Sequence, residues 1–180
     1  LGSSGRIGEQ ELDEALREFD RLSALQPKAI GPKTVVAVLH HMANRRADAK
    51  QAYEAVLRVD SSAVVANNNL AWMKVEDGEN LDLALQMAQA AKARAPQSPE
   101  VSDTLGLIYY KRNLFSFSAA AYEDAVKYDP RNPEHHYHLG LAQAKNNQPE
   151  KARESFATAL KLNPGFPGAA DAKAQLAALP

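Results

Sequence analysis

The segment from Pro99 to Pro164 repeats itself at a fixed offset. Leu105-Gly106, Tyr122, Ala125 and Pro130 recur as Leu139-Gly140, Phe156, Ala159 and Pro164, each pair 34 residues apart. A period of this length, with Leu-Gly in its first half, Ala-x-x-x-aromatic-x-x-Ala in its second and Pro at its close, predicts a helix–turn–helix unit that stacks on copies of itself. One such unit cannot bury its apolar side alone. The expected fold is therefore all-α, with a core spread along one dimension instead of gathered about one centre.

Extending the period in both directions places the rest of the chain. Residues 1–8 (LGSSGRIG) are Gly/Ser-rich and read as a flexible terminus or a remnant of cloning. Residues 9–27 carry Leu12, Ala15, Leu16, Phe19 and Leu22 at helical spacing and end at Pro27, which predicts a lone second helix, half a repeat. Residues 30–164 hold four repeats, at about 30–61, 64–97, 99–132 and 133–164. The first is the loosest, with Ala37 at the glycine position and Ser61 at the closing proline. In the second, Leu70 and Ala84 lie 14 apart where Leu139 and Ala152 lie 13 apart, so one residue is inserted. The polar stretch EDGENLD, Glu76 to Asp82, is the expected place for it. Residues 165–180 read as a helix capping the stack.

The bulk chemistry excludes several functions. A net charge of −1 and a pI near 6.6 leave no basic stripe for nucleic acid. No apolar run approaches the roughly 18 residues of a membrane span, so no direct membrane insertion is expected. Without cysteine there are no disulfides or thiolate metal sites, which suits a reducing cytosol or a periplasmic protein without bridges alike. The chain opens on Leu1, not Met, and reads as a fragment or processed product whose native signal peptide, if any, lies outside it. Compartment stays open at this point, periplasm or cell envelope against cytoplasm.

The quoted positions resemble the tetratricopeptide repeat, whose pattern runs Trp, Leu-Gly, Tyr, Ala, Phe/Tyr, Ala, Pro over one period. The resemblance extends from about Glu9 to the C-terminus and implies a right-handed α-solenoid. It departs from the pattern at position four, usually Trp, which is Asn67, Ser102 and His136 in the last three repeats. The strings NNLAW and NPGFPGAADA also resemble bacterial cell-envelope repeat proteins, including those of exopolysaccharide export. The family implies a non-catalytic scaffold whose first helices line a concave groove holding a peptide or helical segment of a partner. The alternative is a structural spacer or self-associating, homo-oligomeric module of a larger envelope protein.

Mapped onto this chain, the groove takes Thr34, Asn68, Asp103 and Tyr137 at position five, Val38, Trp72, Leu107 and Leu141 at position nine, and His41, Val75, Tyr110 at position twelve. The apolar rungs would seat anchors of the partner or pack between neighbouring first helices. The family's clamps for chaperone tails need cations where this chain has Glu100 and Thr104, so acidic C-terminal tails are not expected to bind. Catalysis finds no support: GPKT at Gly31 to Thr34 lacks the rest of a phosphate loop, and HExxH, GxSxG and GxGxxG are absent. His135 and His138 have metal-ligand spacing but no cysteine or acidic pair completes a site, so no metal or cofactor is expected.

Overall fold

A computed structural model describes residues 8–179 of the chain. The expectations for residues 1–7 and for Pro180 lie outside them. The described residues form ten helices and no strand: α1 (Glu9–Leu25), α2 (Ile30–Met42), α3 (Arg46–Val59), α4 (Val64–Glu76), α5 (Leu81–Arg94), α6 (Pro99–Lys111), α7 (Phe115–Tyr128), α8 (Pro133–Lys145), α9 (Pro149–Leu162) and α10 (Ala169–Ala178). The chain divides into two compact units, one reaching to Leu70 and one from Ala71 onward, with the division inside α4.

In the first unit α2 packs against both α1 and α3. Leu12 and Leu16 of α1 meet Val36 and Leu39 of α2, with Phe19 half-buried beside them. Ala49, Tyr53 and Val56 of α3 are wholly buried. In the second unit each helix from α5 to α10 packs on its neighbour in the chain, and the first helices α6 and α8 also touch each other.

The Leu-Gly and aromatic positions fit together across each repeat. A Cβ on Gly106 would stand 2.6 Å from ring carbons of Tyr122, and one on Gly140 would stand 2.7 Å from the ring of Phe156. Glycine is required there because the ring of the second helix lies against the backbone of the first. Pro99 and Pro133 open α6 and α8 at the first turn, where the missing N–H costs nothing, behind Ser98 and Asn132 caps.

The turns inside the repeats share one geometry. Asn44, Gly78, Asn113 and Asn147 all have φ between 56° and 69°. In each, the next N–H reaches back to a carbonyl five residues earlier: Arg45 to His40, Glu79 to Lys74, Leu114 to Tyr109 and Gln148 to Gln143, at 2.8–2.9 Å. The left-handed residue precedes the first alanine-position residue by five in three repeats (Asn44 to Ala49, Asn113 to Ser118, Asn147 to Ala152) and by six from Gly78 to Ala84. The inserted residue therefore follows the turn, within the predicted stretch. It also changes how the helix starts. Asn80 accepts hydrogen bonds from the N–H groups of Asp82 and Leu83, whereas α3, α7 and α9 begin without a side-chain cap.

Position four, where the family pattern has Trp, ties each first helix to the turn before it. Asn67 donates to the carbonyls of Ser61 and Ala63, Ser102 to that of Ser98, and His136 to that of Pro130. The small Ser102 side chain leaves room for Lys92. Its ammonium donates to Ser102 Oγ at 2.7 Å and to Asp124 at 3.0 Å, joining α5, α6 and α7.

Candidate binding face

The position-five and position-twelve residues of the second unit form a connected polar and aromatic network along α6, α8 and α10. At its centre, Asp103 Oδ1 accepts hydrogen bonds from His135 Nδ1 at 3.0 Å and His138 Nδ1 at 2.9 Å. The partners set the tautomer of His135: Asn132 Nδ2 donates to its Nε2, so the ring proton sits on Nδ1. Burial by itself would raise the Asp103 pKa, but the two imidazole donors and their charge bring it down to about 2. Burial opposes protonation of His138 as well, yet the bond and charge of Asp103, with Glu134 adding to them, raise its pKa above the ordinary value.

One rung further along, the Tyr137 hydroxyl donates to Asp171 Oδ2 at 2.7 Å. The Tyr137 ring is gripped by Phe156, Phe166 and His138, with centroids 5.5–6.1 Å away. Burial, then the carboxylate of Asp171, raises the pKa of both Tyr110 and Tyr137, so both phenols keep their protons. Phe166, in the turn before α10, is buried, and a Cβ on Gly168 would stand 2.6 Å from its ring. The site thus offers one fixed hydroxyl, that of Tyr137, a carboxylate and half-buried rings. It holds no activated nucleophile and base, and among the described residues no cluster of three or more His, Asp or Glu is arranged to hold a metal ion.

The other expected groove residues are placed as follows. Leu107 and Leu141 are half-buried, each resting on a core cluster of the second unit, so they belong partly to packing and partly to the surface. Trp72 is half-buried. Val75 departs from expectation. It is only 4% exposed and lies in the core with Ala84, Ala88, Leu105 and Ile108, because α5 packs over that side of α4.

In the first unit, Thr34 turns its hydroxyl back to the Ile30 carbonyl and Val38 is half-buried. His41 stands edge-on to Tyr53, with Nδ1 3.4 Å from the Tyr53 hydroxyl, which accepts from Asn69 Nδ2 at 2.7 Å. Burial, with Arg46 adding, lowers the His41 pKa, which suits a neutral ring accepting the phenol proton. Asn68 is buried; its Nδ2 donates to Asn69 and its Oδ1 has no partner among the described residues.

His135, His138, Phe166 and Asp171 were not among the residues expected from the sequence. Asp171 was findable, since it lies one 34-residue period beyond Tyr137 as Pro167 does beyond Pro133. By that register α10 occupies a first-helix position.

Comparison with known proteins places this arrangement. The chain is 28% identical over 120 residues to the general transcriptional corepressor ssn6 of Schizosaccharomyces pombe, which is 66% of this chain and 11% of that protein. It is 29% identical over 87 residues to the peroxisomal targeting signal receptor of Saccharomyces cerevisiae, 48% of this chain and 14% of that protein. The chain thus spans a small part of the curated relatives it matches. Among solved structures, MamA (residues 41 to the end) from Desulfovibrio magneticus RS-1 superposes with a TM-score of 0.71 at 21% identity, covering 87% of this chain and 88% of that one. YrrB, described as a TPR protein with an unusual peptide-binding site, superposes with a TM-score of 0.70 at 21% identity, covering 92% and 84%. At that identity these likenesses show the fold. The tetratricopeptide repeat model matches residues 42–99 and 104–178, well over half of the sequence. Repeat period, interlocked glycine and aromatic positions and family model agree: the chain belongs to the tetratricopeptide repeat family.

Proposed function

We propose that this chain is a protein-interaction scaffold that holds a peptide or helical segment of a partner protein along its first helices. In the second unit the partner rests on Asp103, Leu107, Tyr110, Tyr137 and Leu141. Thr34, Val38 and His41 hold the corresponding positions in the first unit, taken by itself, and Trp72 in the second, while Val75 and Asn68 drop out because they are buried. The observation that carries this reading is the fixing of successive rungs: Asp103 is held by His135 and His138, and Tyr137 by Asp171. Side chains immobilised before contact lose little entropy on binding, so such a face is ready to recognise a ligand. Half-buried Leu107 and Leu141 beside it supply apolar contact. The peptide-binding site for which YrrB is described supports the same use of the fold.

The test is a paired Leu107→Asp/Leu141→Asp substitution assayed for capture of peptides selected on the unmodified chain. Capture should fall at least tenfold, about 1.4 kcal/mol, while the helical circular dichroism spectrum is retained. Undiminished capture by the folded double variant overturns the reading.

A further inference from the structure

The charge around the second unit's first helices is unevenly arranged. Glu100, Glu134 and Asp171 stand in the first turns of α6, α8 and α10 and Asp103 one turn further into α6, while α6 and α8 each carry a single Lys, at their last residues Lys111 and Lys145. Of these carboxylates, Asp103 is held in place by hydrogen bonds from two imidazoles. Asp171 is different. It is exposed, and its hydrogen-bond donors are the neutral Tyr137 hydroxyl at 2.7 Å and the Gln175 amide at 3.5 Å. No Lys or Arg among the described residues pairs with it. A full negative charge thus sits beside the half-buried phenol rings of Tyr137 and Tyr110, the latter set edge-on against Phe115 at 5.5 Å.

We propose that Tyr110, Tyr137 and Asp171 form the seat for a cationic side chain, arginine above all, of the segment that binds here. This inference rests on the peptide-binding reading above and names the chemistry of its ligand. A guanidinium can lie across a phenol face while two of its N–H groups meet one carboxylate, whereas an ammonium makes only a point contact. The Tyr137 hydroxyl aids this indirectly: by donating to Asp171 Oδ2 it fixes the carboxylate without cancelling its charge. Glu100, Asp103 and Glu134 extend the negative field over the same end of the helices, which draws in basic segments and repels acidic ones. The apolar rungs Leu107 and Leu141 then set the register of the peptide on either side of the cation.

The experiment selects binders from a random dodecapeptide display library on the intact 180-residue chain, then measures synthetic copies by calorimetry. Selected peptides should share an Arg, or less often a Lys, at one fixed distance from an apolar anchor. Asp171→Asn should weaken them roughly tenfold, and Asp171→Lys should reverse the preference between a selected peptide and its Arg→Glu version. Tyr137→Phe, which keeps the ring packed on Phe156 and Phe166, should weaken them less than Asp171→Asn does. Peptides that need Leu107 and Leu141 but carry no common cation, or are indifferent to both Asp171 variants, overturn the seat and leave the scaffold reading standing. Failure to select any peptide sensitive to the Leu107→Asp/Leu141→Asp pair overturns both.

Discussion

Gly106 lies against the face of Tyr122 so closely that a methyl group at 106 would stand 2.6 Å from two ring carbons. Alanine is the better helix former by about 0.5–1 kcal/mol, but here the added carbon forces apart two helices whose buried Tyr122 ring cannot retreat. Gly106→Ala should therefore destabilise the protein by a net ~1–2 kcal/mol in urea denaturation, and Gly140→Ala likewise through Phe156. Gly31, also helical, has nothing within 4 Å of its would-be Cβ. Gly31→Ala should be neutral or stabilising by up to about 1 kcal/mol. Equal effects at 31 and 106 would refute the steric account.

The cap created by the inserted residue gives a second test. Asn80→Ala removes the acceptor for two N–H groups at the start of α5 and should cost about 1 kcal/mol, while Asn80→Asp should cost little. The comparison is direct in thermal or chemical melts. A loss for Asn80→Asp as large as for Asn80→Ala would show that the Asn side chain acts otherwise.

The Asp103 clamp makes stability depend on pH at both ends. The raised pKa of His138 contributes stability that is complete below its ordinary value of 6.5 and is lost as pH climbs through the higher folded value. The Asp103 pKa of about 2, below its ordinary 3.8, contributes stability present above 3.8 and lost as pH falls toward 2. His135 and Tyr122 also face the Asp103 carboxylate, and Glu134 faces His138. Asp103→Asn should flatten the stability profile on the alkaline side of neutrality and on the acid limb below pH 3.8. Denaturation midpoints across that range read this out, and an unchanged profile would count against the clamp.

Ser102 and Lys92 share a space that the family pattern gives to tryptophan. Ser102→Trp alone should overpack a fully buried site and cost roughly 1–3 kcal/mol. Combined with Lys92→Ala, which removes the side chain that reaches Ser102 and Asp124, the cost should shrink. Additive effects of the two changes would show that the side chains do not compete.

The period was readable because each of its positions reports a contact inside one repeat or with the next. Gly106 with Tyr122 and Gly140 with Phe156 are two such pairs, and a common offset makes them visible without coordinates. The network around Asp103 was not readable in that way. It joins residues on α6 and α8 through hydrogen-bond geometry, and no periodic pattern distinguishes a histidine pointing at a carboxylate from one pointing at solvent. Val75 was misplaced for a related reason: at the same register position Tyr110 stays half-buried, but at the end of α4 the side chain turns into the core with Ala84 and Ala88. Asp171 lay in plain register with Tyr137, yet the missing Leu-Gly signal in α10 hid that it follows the same spacing.

Packing mainly against chain neighbours has a kinetic consequence in the second unit. Contacts that close over short stretches of chain form quickly, and assembly spreads outward from whichever pair is most secure. The pairs α6–α7 and α8–α9, each locked by a glycine beneath a ring and opened by a proline, are the expected nucleus. Helix α10 docks on α9 through Phe166, Ala169 and Ala172 and should join late and open early. Native-state hydrogen exchange should therefore find α10 amides less protected than those of α7 and α8. Since Asp171 rides on α10, the carboxylate beside Tyr137 exists only while that helix is docked, so a ligand held there would slow the opening of the very helix that completes its site.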